Sequence, residues 1–321
     1  MIVHVLRYRY RREERWGVLR GDAIVPIPGA YATTGDLLRG TTLDALDALT
    51  ATDGATVPRS EVTLLSPVTR NQQFVCQGAN YRQHMIESGM DPEVKTFNMI
   101  FTKAQSCIVS ADADVVRPSS VRFLDYEIEL GLVLRRELRG PVDVTEANLH
   151  EYVAGAVIVN DYSARDVQLP QMQFYKGKSF RTFGPIGPHL ALFDREGVGL
   201  LRQLELELRV NGVIRQKDST ANLVYGPAET LTELSRVQDF DAGDLLSTGT
   251  PAGCALAVPT PAKQRVAALL PERTKWALFA KLQAKRPYLQ PGDRVTARIR
   301  SRDGRIDLGE QHNRIVEEGS S

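Results

Sequence analysis

Apolar and polar residues alternate most regularly in the stretch DYEIELGLVL, Asp125 to Leu134. Read with a period of two, Tyr126, Ile128, Leu130, Leu132 and Leu134 share one face of a strand, and Asp125, Glu127, Glu129, Gly131 and Val133 share the other. The first face is core. The second sets two carboxylates side by side, roughly 7 Å apart along the strand, where they repel one another unless a cation lies between them. A bound divalent metal supplies that cation, although a solvated acidic edge strand gives the same pattern.

The same reading predicts a small meander at the start of the chain, with strands over residues 2–9, 16–19 and 23–27. A short helix capped by Thr34 or Asp36 follows, then a second spaced by Leu43, Leu46 and Leu49. The polar, broken tract 51–59 and the change of texture after Pro67 divide the chain into a small α/β N-terminal unit over 1–66 and a larger domain over 67–321. In the larger domain, FVCQGANYRQHMIESG predicts a strand, a turn and a short helix with His84 and Glu87 on one face. A carboxylate so placed can fix the imidazole tautomer and raise its basicity, as a general base requires. The flexible tract 89–96 suits a lid.

Further on, the pattern predicts a helix near 144–153 and a buried strand at 156–159 that stops at Asn160-Asp161, where Asp161 can supply a third carboxylate. FYKGKSFRTFGPIGPHL reads as a rigid loop carrying Lys176 or Lys178 inward. LELELRVNGVIRQ is a hairpin turning at Asn211-Gly212, with Glu205 and Glu207 on a solvated face. STGTPAG, residues 247–253, offers hydroxyl and N–H donors that can cradle an anion. In the basic helical segment from Pro261 to Arg286, the stripe of Trp276, Phe279 and Ala280 is assigned to core packing. GDRVTARI and RIDLGEQHNRIV read as terminal strands.

Composition adds mainly exclusions. With 40 Lys plus Arg against 39 Asp plus Glu the formal net charge is +1, which gives no global attraction to nucleic acid or to an anionic membrane. No window approaches the ~18 consecutive apolar residues of a membrane span, and the N-terminus lacks the apolar core of a signal peptide. Cys76, Cys107 and Cys254 are odd in number and far apart, which fits a reducing, cytoplasmic setting better than a disulfide framework.

The succession GANYRQHMIE, FTK, DYEIEL, NDYSARDVQ, GKSF, TGTPAG and GDRVTARI resembles the fumarylacetoacetate hydrolase family in order and spacing, over about residues 67 to 316. The resemblance implies an α+β, mostly β fold: a mixed β-roll catalytic domain after a small N-terminal domain, usually as a homodimer. It implies Mg²⁺, Mn²⁺ or Ca²⁺ on Glu127, Glu129 and Asp161, and hard oxygen donors without Cys or His favour Mg²⁺ or Mn²⁺ over Zn²⁺ on chemical grounds. His84 with Glu87 is then the water-activating pair and Lys178 the cation polarising a substrate oxygen. Arg165 and Gln168 bind substrate, and Thr248, Gly249 and Thr250 form the carboxylate cradle. Lys103 and Arg181 join the list of substrate-facing cations. Arg181 departs from the family pattern after GKSF, and the 261–286 insertion lengthens the path to the last strands.

The activity expected on this basis is metal-dependent hydrolysis of a C–C bond in a 1,3-diketo acid of the acylpyruvate or fumarylpyruvate type, the substrate being a 2-oxo carboxylate. Decarboxylation of an oxaloacetate-type acid, isomerisation and hydration or dehydration need the same chelate and stand as alternatives. A non-catalytic protein tied together by its metal is the alternative from another class.

Overall fold

A computed structural model describes residues 1–51, 54–259, 265 and 267–319. Among the described residues the alternating segments become two large mixed sheets and one two-stranded ladder, and the helical ones short covers. The larger sheet runs, in spatial order, through Val57–Pro58, Ala23–Pro26, Glu13–Arg20, Ile2–Tyr10, Leu190–Phe193, Val153–Asn160, Ile128–Leu134, Leu245–Ser247, Phe74–Gly78 and Met99–Thr102. The smaller follows Val213–Ser219, Leu204–Val210, Arg294–Ser301, Asp307–Glu317 and Val115–Arg117. Most neighbours are antiparallel, but Leu245–Ser247 runs parallel to Phe74–Gly78, and Asp307–Glu317 parallel to Val115–Arg117. The fold is mixed and mostly β, as expected.

Local chemistry explains the elements. Thr33, rather than Thr34 or Asp36, caps the first helix, Thr34–Gly40, and Asp36 completes a capping box with it. The hairpin turns at Asn211 and Gly212, both with positive φ, as a two-residue turn demands. Along Leu204–Val210 the leucines and Val210 are buried while Glu205 and Glu207 are only half-buried. The helix expected near 144–153 shrinks to Leu149–Tyr152, because Thr232 bonds both backbone groups of Val144 and Asn148 accepts from the amide of Thr145.

One expectation changes. Ile128–Leu134 is buried on both faces rather than one: Val159 and Val157 from one neighbouring strand and Leu245 from the other close over Gly131. The boundary at residue 67 does not interrupt the sheet, since Ile2–Tyr10 pairs with Leu190–Phe193, and Val3, Val5, Leu37 and Leu46 lie in the same apolar core as Leu130, Val157 and Leu206. Of the 261–286 segment, residues 261–264 and 266 lie outside the described residues. Its remainder holds the helix Glu272–Gln283, where Phe279 and Ala280 touch the core but Trp276 only half-buries.

The closeness of the strands is testable at Gly155, where a β-carbon would lie 2.1 Å from the backbone oxygen of Ala191. Gly155→Ala should destabilise the protein by about 1–3 kcal/mol or more. Gly199 is right-handed helical with open space around it, and Gly199→Ala should stabilise by about 0.4–1 kcal/mol. Urea denaturation of both variants against wild type measures the contrast.

Candidate active site

The strand carrying the carboxylates is interrupted where it matters. Leu124–Asp125 pairs with Ser163–Ala164, and the ladder resumes at Ile128. At the break the amide of Glu127 donates to Asn160 Oδ1 at 3.1 Å, and the carbonyl of Glu127 accepts from the amide of Asp161 at 2.8 Å. Gln216, from the other sheet, accepts from the amide of Ile128 at 3.0 Å and donates to Thr250 Oγ1 and the Pro251 carbonyl, both at 2.8 Å. These bonds replace the missing rungs and hold the Glu127 and Asp161 side chains towards each other.

Glu127, Glu129 and Asp161 are all buried and each offers an oxygen within 4.8 Å of the others. Opposite ligands of Mg²⁺ stand about 4 Å apart and those of Ca²⁺ about 5 Å, so the donor set fits a hard divalent ion. Three buried cations face these acids. Lys178 Nζ contacts Glu127 Oε2 at 2.5 Å and also bonds Asp161 Oδ2. Lys103 Nζ bonds Asp161 Oδ1 and, at 2.7 Å, the Phe183 carbonyl. Arg165 spreads its guanidinium over Asp125 at 2.9 Å, Glu127 at 2.5 Å and Gln168 Oε1 at 2.9 Å. Lys178 reaches the cluster because Gly177 packs against the backbone of Gln168, where a β-carbon would sit 2.8 Å from its nitrogen.

The environment splits the carboxylates. Burial alone would raise Glu127, but Arg165 and Lys178 outweigh it and hold its carboxyl below the usual range. Glu129 has no such partner. Burial and then Asp161 push it up to about 8, against the opposing effect of Lys178. A cation joining the site would oppose both effects and lower that value. Burial opposes the charge on Lys178, but Asp161 and Glu127 raise its pKa overall. The half-buried His84 is shifted down by burial, with Glu127 pulling it up and Arg165 pushing it down.

The residues expected at the site meet the following partners. The turn at 247–250 cradles a carboxylate, but that of Glu129, which accepts from Ser247 Oγ at 2.5 Å and the Gly249 amide at 3.1 Å. Thr248 and Thr250 donate to the carbonyls of Leu130 and Ile128. Lys103 and Arg165 are engaged with the acids, and Gln168, which accepts from Arg165, also lines a groove. Glu87 is exposed and not hydrogen bonded to His84, whose buried Nδ1 has no partner. Arg181 is exposed and outside the cluster. Asp125 went unrecognised in the sequence although it shares a strand face with Glu127. It accepts from Arg165 and from the amides of Ala255 and Leu256 at 2.8 and 3.0 Å.

Residues 73–316 match the family described as fumarylacetoacetate (FAA) hydrolase, C-terminal, and residues 4–67 match the one described as Rv2993c-like, N-terminal. Oxaloacetate tautomerase YisK of Bacillus subtilis (strain 168) is 34% identical over 197 residues, 60% of this chain and 64% of that protein. Mitochondrial oxaloacetate tautomerase FAHD2A of Bos taurus is 37% identical over 215 residues, 66% of each chain. The match thus spans just under two thirds of both relatives. Among solved structures, fumarylacetoacetate hydrolase from Exiguobacterium antarcticum superposes with a TM-score of 0.76 at 28% identity, covering 98% of this chain and 100% of that one. A probable 2-hydroxyhepta-2,4-diene-1,7-dioate isomerase from Mycobacterium abscessus gives 0.72 at 26% identity, over 99% of each. With the acid cluster, its strand break and the two flanking lysines in place, the chain belongs to the fumarylacetoacetate hydrolase family.

Proposed function

We propose that this chain is a divalent-metal-dependent enzyme that enolises a 2-oxo carboxylate, a keto–enol tautomerase or isomerase in its simplest form. The observation that carries the reading is the convergence of three buried carboxylates within 4.8 Å, with Lys178 between two of them and His84 close enough to feel their charge. Glu127, Glu129 and Asp161 would hold Mg²⁺ or Mn²⁺, with Ca²⁺ also compatible, and the bound ion supplies Lewis-acid polarisation of the 2-oxo group. Lys103 and Arg165 keep Asp161 and Glu127 oriented. Lys178, held charged by the acids, is the donor available to a developing enolate oxygen. His84, whose neutral form burial favours, is the base for the proton on the adjacent carbon. The oxaloacetate tautomerase relatives support the same class of step.

Hydrolysis of a C–C bond in an acylpyruvate or fumarylpyruvate is the second reading, and one observation favours it. His84 Nδ1 is a buried group without a partner, and Glu87 is an acceptor one turn along the same helix. Hydrolysis requires that pair to join, whereas enolisation does not. Three free, buried cysteines support a reducing compartment such as the cytoplasm, and the family supports a homodimer. Among the described residues no helix is long and apolar enough to cross a membrane.

Removal of metal with EDTA should abolish turnover of a 2-oxo acid, and Mg²⁺ or Mn²⁺ should restore it; full activity after verified metal removal would overturn the assignment. His84→Ala should lower kcat by roughly 10²–10⁴, the range for a lost acid or base, with metal affinity near wild type by calorimetry. Glu87→Gln separates the two readings. It should leave tautomerisation within about threefold and, if hydrolysis occurs, reduce that by at least about tenfold.

A further inference from the structure

Beside the acid cluster lies a groove of about 910 Å³ whose walls are almost entirely carbon. One wall is Leu169, Met172 and Phe174, and the other is formed by residues 256–259 and the helix Glu272–Gln283, through Trp276, Phe279 and Leu282. Among the described residues Lys275 is its one charged lining residue. Much of this apolar surface faces water: Met172 is 83% exposed, Leu282 51% and Leu278 43%, more than a chain leaves open without a use for it.

The groove adjoins the chemistry through two chains of side-chain contacts. Gln168 lines it while accepting from Arg165, which itself holds Glu127. Phe174 stacks edge-to-face on Phe101 at 5.1 Å, and Lys178 Nζ lies 5.1 Å from the centre of the Phe101 ring. A ligand whose polar head meets Lys178 and the carboxylates therefore has a mostly apolar groove beside it, one layer of side chains away at Gln168 and Phe174. Arg181, expected among the substrate-facing cations, is exposed and does not line the groove. The helix that closes the far wall, Glu272–Gln283, belongs to the 261–286 segment.

We propose that this groove is the subsite for a long apolar arm of the substrate, so that the chain acts on 2-oxo acids bearing an extended alkyl or aryl group rather than a second carboxylate. The inference rests on the 2-oxo acid reading of the neighbouring cluster. Each methylene buried along the groove adds about fourfold to kcat/KM, from roughly 0.8 kcal/mol per buried methylene at 1.36 kcal/mol per tenfold.

The test uses the full chain with Mg²⁺ and follows exchange of the C3 proton for deuterium by NMR across 2-oxo acids from pyruvate to 2-oxodecanoate, with oxaloacetate as the dicarboxylate. The expected result is a kcat/KM that climbs with chain length and exceeds that for oxaloacetate. Leu282→Glu should cut the ratio of 2-oxodecanoate to pyruvate by at least about tenfold, a ratio insensitive to the folded fraction. Exchange that is flat or falls with length overturns the subsite and leaves the enolising function standing. If no 2-oxo acid exchanges at all, the functional reading fails, and the subsite is decided by binding. Trp16 is buried, so quenching of Trp276 fluorescence reports the groove. Tighter quenching by 2-oxodecanoate than by pyruvate supports the arm, and equal or no quenching removes it. A change of oligomeric state in Leu282→Glu with the length dependence intact assigns the groove to a second copy and also overturns the proposal.

Discussion

Asp125, Glu127, Glu129 and Asp161 are all taken out of water, and with them Lys103, Arg165 and Lys178. Burying an ion costs several kcal/mol even after relaxation, so the arrangement persists only because each charge meets opposite charge or several donors. Lys178 serves Glu127 and Asp161 together, Arg165 serves Asp125 and Glu127, and Lys103 closes the remaining oxygen of Asp161. Asp125 and Glu129 are completed by backbone amides and Ser247. The network is closed: withdrawing one cation strands a carboxylate that the interior cannot solvate. A site of this kind cannot rest on flexible loops, and the fold supplies three adjacent strands instead.

That requirement explains the role of the first residues. Asp161 follows the end of Val153–Asn160, which lies between Ile128–Leu134 and Leu190–Phe193. The short Leu190–Phe193 would be an exposed edge, open to wrong pairing, were it not covered by Ile2–Tyr10. Through that pairing the N-terminal unit buttresses the strand that delivers a ligand, two strands away from the chemistry.

What could be read from the sequence follows the range of the forces involved. Period-two alternation identified Asp125 to Leu134 and the hairpin at Asn211-Gly212, because side-chain direction in a strand is set by its immediate neighbours. The convergence of Glu127, Glu129 and Asp161, which alternation left open, came into view through the resemblance of the whole motif succession. The partners of Lys103, Arg165 and the 248–250 turn were not legible. A cation or hydroxyl can face a substrate or a neighbouring acid equally well, and only the packing of residues distant in sequence decides between them. Asp125 was missed for the same reason, since its partners at Ala255 and Leu256 lie far along the chain. The separation of Glu87 from His84 shows the limit of helical spacing, which puts two residues on one face without joining them.

Charge accounting narrows the ligand further. Four buried carboxylates oppose three buried cations. A bound divalent ion would turn that balance into an excess of one positive charge, which a monoanionic 2-oxo carboxylate neutralises. A dianion would leave an uncompensated negative charge in a space where such charges are expensive. Among the described residues the groove offers it only Lys275 at its outer helix, and Arg181 is exposed elsewhere. The same electrostatic constraint that organises the strands thus favours a ligand charged at one end and apolar along the rest.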